Sequence, residues 1–125
     1  MRNVVANNEW LYRRGYCSPE RKYMNPDGTA HSRVFKPRPI DKNELSVDVK
    51  SYTTAEVSIK DKSLYMLFEL SVEHVNEVGL NVEHDPLLNQ YPDADNPAHA
   101  VIVGIMDDDD IVPGLLAKKS KRVYV

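Results

Sequence analysis

Alternation of apolar and polar residues marks the clearest strand of the chain, at residues 44–50. Leu45, Val47 and Val49 share one face of this segment. The other face carries its polar residues, Ser46, Asp48 and Lys50. A period of two residues is typical of a strand with one buried face. We therefore predict a half-buried strand whose polar side chains face solvent.

Four further segments are predicted to be strands. Residues 9–14 and 80–84 alternate briefly, and Gly15 is expected to end the first of them. Residues 64–70 and 98–106 are almost continuously apolar. Such runs are typical of strands that are buried on both faces, although a helical turn also fits residues 64–70.

Two short helices are predicted from N-terminal capping signals. Thr53 and Glu56 have the spacing of a capping box, so a helix is expected to begin there and to end by about Lys62. Ser71 is suited to cap a second helix over residues 72–78, which the following glycine would end in a left-handed conformation.

A third helix is predicted near the C-terminus. Pro113 suits the first helical position, and the helix is expected to run to about Lys121. The acidic run 107–110 precedes it and lysines lie near its end, an arrangement that the helix dipole favours. This accounts for both charge runs without a metal or a nucleic acid.

The segment 15–43 lacks periodicity and is predicted to be a long loop region. Asn25-Pro26-Asp27-Gly28 is a strong turn signal, and the residues before Pro37 and Pro39 are expected to be extended. A long loop in a small protein is typically functional or disordered, so this one is a candidate lid or binding loop. Together the elements predict one α+β domain over residues 1–125, with a small mixed sheet and two or three short helices.

Charge is unevenly distributed along the 125 residues, although the net charge is only −3. Residues 1–42 carry nine Lys/Arg against four Asp/Glu, whereas residues 43–113 carry three against fifteen. These segments either neutralise each other in the fold or leave a basic face for an anionic partner.

The single cysteine and the short apolar runs bear on the compartment. Cys17 has no second cysteine with which to form an internal disulfide, as is usual in a reducing cytoplasm. The longest apolar run, residues 100–106, is far shorter than a membrane span, and residues 1–10 lack the apolar core of a signal peptide. We expect a cytoplasmic protein without a membrane partner.

Two histidines and a carboxylate form the strongest catalytic candidate. His84 and Asp85 close one predicted strand and His99 opens the next, so neighbouring strands would bring them together. In that arrangement His99 would serve as base or acid and Asp85 would orient a histidine. The alternative is structural: His84 would cap a strand end, Asp85 would form an Asx turn, and Asn96 would order the turn at Pro97.

A second candidate is an anion-binding set. Arg13 either points from the first strand into a pocket or pairs with an acidic neighbour at the sheet edge, and Lys36 lies in the basic loop. We predict Arg13, Lys36, Ser46 and Asn96 as substrate-binding residues. Because Walker, GxGxxG, GxSxG and HExxH motifs are missing from the sequence, no cofactor and no metal are expected.

Five motifs spread over nearly the whole chain resemble those of a group of small, uncharacterised bacterial proteins. They are Leu11-Tyr12-Arg13-Arg14, Phe35-Lys36-Pro37, Leu45-Ser46-Val47-Asp48, His84-Asp85-Pro86 and Asn96-Pro97-Ala98-His99-Ala100. This resemblance implies no particular function.

The N-terminal half is also similar to the opening of small ADP-ribosyltransferase-like domains that use NAD. The similarity lies in Arg13 on the first strand, the basic loop, Ser46 on the next strand and Glu56 on a threonine-capped helix. It implies that Arg13 holds the nicotinamide dinucleotide. The glycine-rich stretch and the later glutamate motif of those domains are missing here.

Three functions follow as hypotheses. The first is a non-enzymatic accessory protein of a bacterial operon, of the toxin–antitoxin, immunity or defence type, with a protein partner or a second copy of itself. The second is a small enzyme that acts on a nucleotide-like or other anionic substrate through Arg13, Lys36, His84, Asp85 and His99. The third is a nucleic-acid binder that uses the basic residues of 13–38.

Overall fold

A seven-stranded antiparallel sheet organises the computed structural model, which describes residues 2–90 and 92–125. The strands are β1 (Asn3–Val4), β2 (Trp10–Tyr16), β3 (Glu44–Val49), β4 (Tyr65–Ser71), β5 (Asn81–His84), β6 (His99–Val103) and β7 (Lys121–Val123). Their spatial order is β1-β5-β6-β3-β2-β4-β7. The two strands that carry Arg13 and Ser46, β2 and β3, therefore lie side by side within the sheet.

Three short α-helices accompany the sheet in the described residues, so the predicted α+β class is confirmed. They are α1 (Ala55–Ile59), α2 (Val72–Glu77) and α3 (Val112–Lys119). Four 3-10 helices cover Pro19–Arg21, Ser32–Phe35, Pro39–Asp41 and Lys50–Tyr52. None of the helices in the described residues is long and apolar enough to cross a membrane.

Strand directions and ends differ in places from the expectation. Each pairing in the described residues is antiparallel, where we expected a mixed sheet. Gly15 does not end β2, because it pairs with Met66 and the ladder continues to Tyr16. The last helix ends at Lys119 rather than Lys121, since Ser120 is extended and the chain then joins the sheet as β7.

The predicted long loop also contributes to the core. Within residues 15–43, Val34 and Phe35 are fully buried and pack with Leu11 and Leu45 in the main hydrophobic cluster. The segment 32–35 contacts α3, so the two cover the same face of the sheet. This anchoring fixes the basic loop against β2 and β3 instead of leaving it as a separate lid.

The opposite face of the sheet is partly covered by α1. Tyr12 and Leu67 pack there with Ile59 of α1. Because side chains alternate along a strand, the apolar residues next to them in the chain lie in the main core on the other face. The helix is capped by Thr54, whose hydroxyl accepts the backbone N–H of Val57, and not by Thr53 as the capping-box spacing predicted. Because α1 lies on this face, Asp48 of β3 is buried there, although alternation placed it in solvent.

The acidic run before α3 acts as a cap, as its position predicts. One carboxylate oxygen of Asp109 accepts the backbone N–H groups of Ile111 and Val112. These hydrogen bonds lower the pKa of Asp109 below its ordinary value of 3.8. The cap therefore stabilises the fold above that ordinary pKa, and its contribution is lost as the pH falls through the lowered pKa.

We predict that Asp109→Ala lowers the thermal midpoint at pH 7, because two N–H groups at the start of α3 lose their acceptor. Differential scanning calorimetry at pH 7 and at pH 2 measures the effect, which should shrink at the lower pH. Asp108→Ala is the matched control, since Asp108 is exposed in the same run. An equal effect of both substitutions would contradict the assignment of the cap to Asp109.

Candidate functional site

Arg13 lies where β2 separates from β3. Within the described residues the ladder between these strands comprises two pairs, Leu11 with Val49 and Tyr12 with Asp48. Beyond them the Arg13 side chain occupies the opening. Its Nε donates a hydrogen bond of 2.7 Å to the carbonyl oxygen of Val34, and its Nη1 donates one of 2.9 Å to that of Ser46. The guanidinium thus bridges the loop and β3 and is held in one orientation.

The charge of Arg13 is not balanced by an ion pair. In the part of the chain that the structure describes, no carboxylate oxygen lies within 4.0 Å of its guanidinium nitrogens. Burial, followed by the nearby positive charge of Arg14, lowers the pKa of Arg13 to about 10. The group therefore stays protonated at neutral pH. The guanidinium is partly buried and has no ion-pair partner among the described residues, so its charge is available to an anionic group that enters from solvent.

A cleft of about 280 Å³ opens beside this guanidinium. Its walls carry four cationic side chains and a single carboxylate. They are Arg13, Arg14, Lys36, Arg38 and Asp41. The structure thus brings together three of the predicted substrate-binding residues, since Ser46 lines the same cleft as Arg13 and Lys36.

The other cations of the cleft are paired, which sets them apart from Arg13. Lys36 Nζ lies 2.9 Å from Asp110 Oδ1, and Arg38 Nη2 lies 2.9 Å from Asp41 Oδ1. The Arg38 hydrogen bond is the main reason that the pKa of Asp41 is lowered. The side chain of Arg38 is exposed, so this pair lies at the solvent side of the cleft.

Three tyrosines complete the cleft walls. The ring centroid of Tyr16 lies 5.7 Å from that of Tyr23 and 5.2 Å from that of Tyr65. The guanidinium carbon of Arg21 is 4.4 Å from the Tyr16 centroid, within the range of a cation–π contact. Aromatic surface therefore lies directly beside the cationic groups. These tyrosines were not predicted as site residues, although aromatic and basic residues are interleaved over residues 10–38 of the sequence.

His99 lies next to the cleft, and Ser46 both contacts His99 and lines the cleft. Its Nδ1 is 2.8 Å from the backbone oxygen of Asp85 and 3.5 Å from the carboxylate Oδ2 of the same residue. Its Nε2 is 3.1 Å from the hydroxyl oxygen of Ser46. A small recess lined by His99, Ser46 and Arg14 neighbours the cleft, since Ser46 and Arg14 line both. Asp85 thus lies beside His99, and the shorter of its two contacts comes from the backbone oxygen and not from the carboxylate.

His84 is placed apart from this group. Its Nε2 lies 2.7 Å from the backbone oxygen of Pro97, and its ring stacks on that of Tyr52 at 5.2 Å between centroids. The structure therefore does not bring His84 into the cleft with Arg13 and Lys36. Glu56 of the predicted helix is exposed on α1 and does not line the cleft either.

Asn96 contacts the buried carboxylate of Asp48 instead of lining the cleft. Its Nδ2 donates a 2.9 Å hydrogen bond to Asp48 Oδ1, and its own Oδ1 accepts the backbone N–H of Ala98. The second Asp48 oxygen accepts the hydroxyl of Ser58 at 2.6 Å and lies 3.6 Å from Arg14 Nη1. Asp48, 5% exposed, thus joins β3, α1 and the end of the 85–97 loop.

Sequence reasoning missed Asp48 and Arg14 as members of this network. Alternation assigned Asp48 to solvent because it cannot show that α1 folds back over that face. The Arg13-Arg14 pair indicated a cationic site. Because side chains alternate along a strand, these two arginines lie on opposite faces of β2. Within the described residues no group of three or more His, Cys, Asp or Glu side chains is arranged to hold a metal ion.

We predict that Asp48→Ala lowers the free energy of unfolding by about 2–4 kcal/mol, because Ser58, Asn96 and Arg14 lose a shared buried acceptor. Urea denaturation measures the change. Asp93→Ala, at an exposed position of the 85–97 loop, is the control and should change it by less than about 0.5 kcal/mol. An Asp48→Ala variant as stable as the control would show that the network does not hold these segments together.

Comparison with known proteins found no match: no protein-family model, no curated protein and no solved structure matches the chain. The resemblances seen in the sequence stay predictions, and the function is argued from the geometry of the cleft.

Proposed function

We propose that the protein binds a nucleotide-like ligand, with the phosphate on the cationic side of the cleft and the flat ring against the tyrosines. The observation that supports this most directly is the Arg13 guanidinium, which lines the cleft, is partly buried and charged, and has no carboxylate within 4.0 Å among the described residues. An anionic ligand would supply the missing charge. The ligand class corresponds to the predicted enzyme with a nucleotide-like substrate.

The orientation of Arg13 suits recognition of a phosphate. Arginine has five N–H donors in a planar fork, and the carbonyl groups of Val34 and Ser46 take only two of them. No hydrogen bond from Nη2 to another described residue is present. A guanidinium that is already held in place loses little entropy when it donates two parallel hydrogen bonds to phosphate oxygens.

The size and composition of the cleft favour a small ligand over a polymer. A cleft of about 280 Å³ is close to the lower limit of typical small-molecule pockets and suits a mononucleotide or one part of a dinucleotide. Its positive charge is local, because the chain as a whole has a net charge of −3. Extended nucleic-acid surfaces instead use basic residues spread along a face or helix.

The neighbouring His99 and Ser46 support a chemical role for the site beyond binding. They adjoin the cleft, whereas His84, which the enzyme hypothesis also required, does not. The accessory-protein and nucleic-acid hypotheses stay predictions. The similarity to ADP-ribosyltransferase-like domains makes NAD one of the ligands to be tested.

We predict that ADP or NAD binds saturably in isothermal titration calorimetry and that Arg13→Met weakens binding at least about 30-fold, or about 2 kcal/mol. The reason is that the substitution removes the fixed cation and puts an apolar side chain of similar length in its place. Affinity should also fall as salt is raised, since the ligand is anionic.

Arg33→Met is the matched control for this measurement. Arg33 lies in the same basic loop, is exposed and does not line the cleft, and the substitution changes the net charge equally. It should leave the affinity within about twofold, because screened charges outside the site contribute little. Failure of the wild-type protein to bind any nucleotide, or equal losses in the two variants, would contradict the proposal.

A further inference from the structure

We propose that Ser46 is a nucleophile, activated by His99, that attacks a phosphoryl group of the ligand in the cleft. This inference rests on the proposed function for its substrate class, a phosphate ester or anhydride of a nucleotide-like molecule. It is carried by the Ser46–His99–Asp85 arrangement, in which the hydroxyl, the imidazole and an orienting group follow one another at hydrogen-bond distances.

The contacts of His99 fix which of its nitrogens carries the proton. A backbone carbonyl oxygen only accepts hydrogen bonds, so the 2.8 Å contact from Nδ1 to the oxygen of Asp85 requires a proton on Nδ1 of the neutral ring. Nε2 then has a free lone pair, 3.1 Å from the Ser46 hydroxyl oxygen. The hydroxyl donates to this lone pair, which is the geometry needed for proton removal.

The Asp85 carboxylate is placed to stabilise the charge that this proton transfer creates. Its Oδ2 lies 3.5 Å from Nδ1 of His99, and the His99 side chain is only 12% exposed. When His99 accepts the proton from Ser46, the imidazolium has this carboxylate beside it. The backbone oxygen and the carboxylate of Asp85 both lie on the Nδ1 side of the ring and keep it in one orientation.

Ser46 differs from the one other described serine that contacts an imidazole. Ser32 Oγ lies 3.5 Å from Nδ1 of His31, but that nitrogen already accepts the backbone N–H of Arg33. Its lone pair is therefore occupied, and Ser32 has no base. Ser46, in contrast, lies at an exposed position of β3 and lines the cleft. Its hydroxyl oxygen can approach a bound ligand.

The cationic walls supply the charge stabilisation that phosphoryl transfer requires. Arg13 donates to the backbone oxygen of Ser46, and both residues line the cleft. Arg14 lines both the cleft and the recess that holds His99. Fixed guanidinium groups at this position would stabilise negative charge on the phosphoryl oxygens in the transition state.

The proposed step is balanced. The Ser46 oxygen forms a bond to phosphorus while its proton moves to Nε2 of His99, and the bond from phosphorus to the leaving oxygen breaks. The leaving oxygen departs with the electron pair and takes the proton from His99. Water, the one further reagent, gives a proton to the same nitrogen and attacks phosphorus, and the bond from phosphorus to the Ser46 oxygen breaks. That oxygen takes the proton back from His99, which restores the hydroxyl and releases phosphate.

Labelling with an alkyl fluorophosphonate tests the inference directly, because the probe forms a stable bond with activated serines and needs no knowledge of the ligand. Intact mass and peptide mapping should show one adduct, at Ser46, with none in Ser46→Ala. Ser32→Ala, the control, should label at the wild-type rate. His99→Gln keeps an acceptor for the hydroxyl but not a base, and should slow labelling at least about 100-fold with an unchanged circular dichroism spectrum.

Lack of an adduct at Ser46, or equal labelling rates in His99→Gln and the wild type, would overturn the inference. Calorimetry with ADP separates this failure from failure of the proposed function. Nucleotide binding without labelling would reject the nucleophile and keep the binding site. Labelling of Ser46 in a protein that binds no nucleotide would reject the ligand class instead.

Discussion

The site depends on the way Arg13 closes the gap between two diverging strands. Past Tyr12 the backbone of β2 no longer pairs with β3, and the guanidinium takes over the connection by donating to the carbonyl groups of Val34 and Ser46. The hydrogen bond to the Val34 carbonyl is partly buried, whereas the one to Ser46 is exposed, so the former stabilises the connection more. One side chain thus ties the basic loop to the sheet and leaves a charge at the base of the cleft.

A second polar connection holds the other side of the site. Asp48 accepts hydrogen bonds from Ser58 and Asn96, so α1 and the loop before β6 are fixed to β3. Asn96 leads directly into His99, whose position beside Ser46 depends on the register of β6 against β3. The geometry at Ser46 is therefore set by two networks that meet on β3, one on each face of the sheet.

Much of the fold could be predicted from local patterns. The alternation around Leu45, the cap at Ser71 and the cap at the start of α3 are encoded within a few residues, and the structure contains each of them. The edge strands β1 and β7 were missed because they are two and three residues long, too short for a periodic signal.

The errors at the site have a different cause, since they involve contacts between segments that are distant in the chain. Alternation assigned Asp48 to solvent, because burial there arises from α1. Arg13 had two alternatives in the sequence, a pocket or an acidic partner, and only the path of the loop through Val34 decides between them. His84 could be placed only once the turn at Pro97 was known.

The central claim is that the fixed guanidinium of Arg13 receives an anionic ligand. Arginine side-chain ¹H–¹⁵N spectra test it most directly, because the hydrogen bond from Arg13 Nε to Val34 should slow exchange of that proton and keep its resonance visible. During titration with ADP, the Arg13 resonance should shift and saturate. An Arg13 resonance that does not move at saturating ADP would contradict the account.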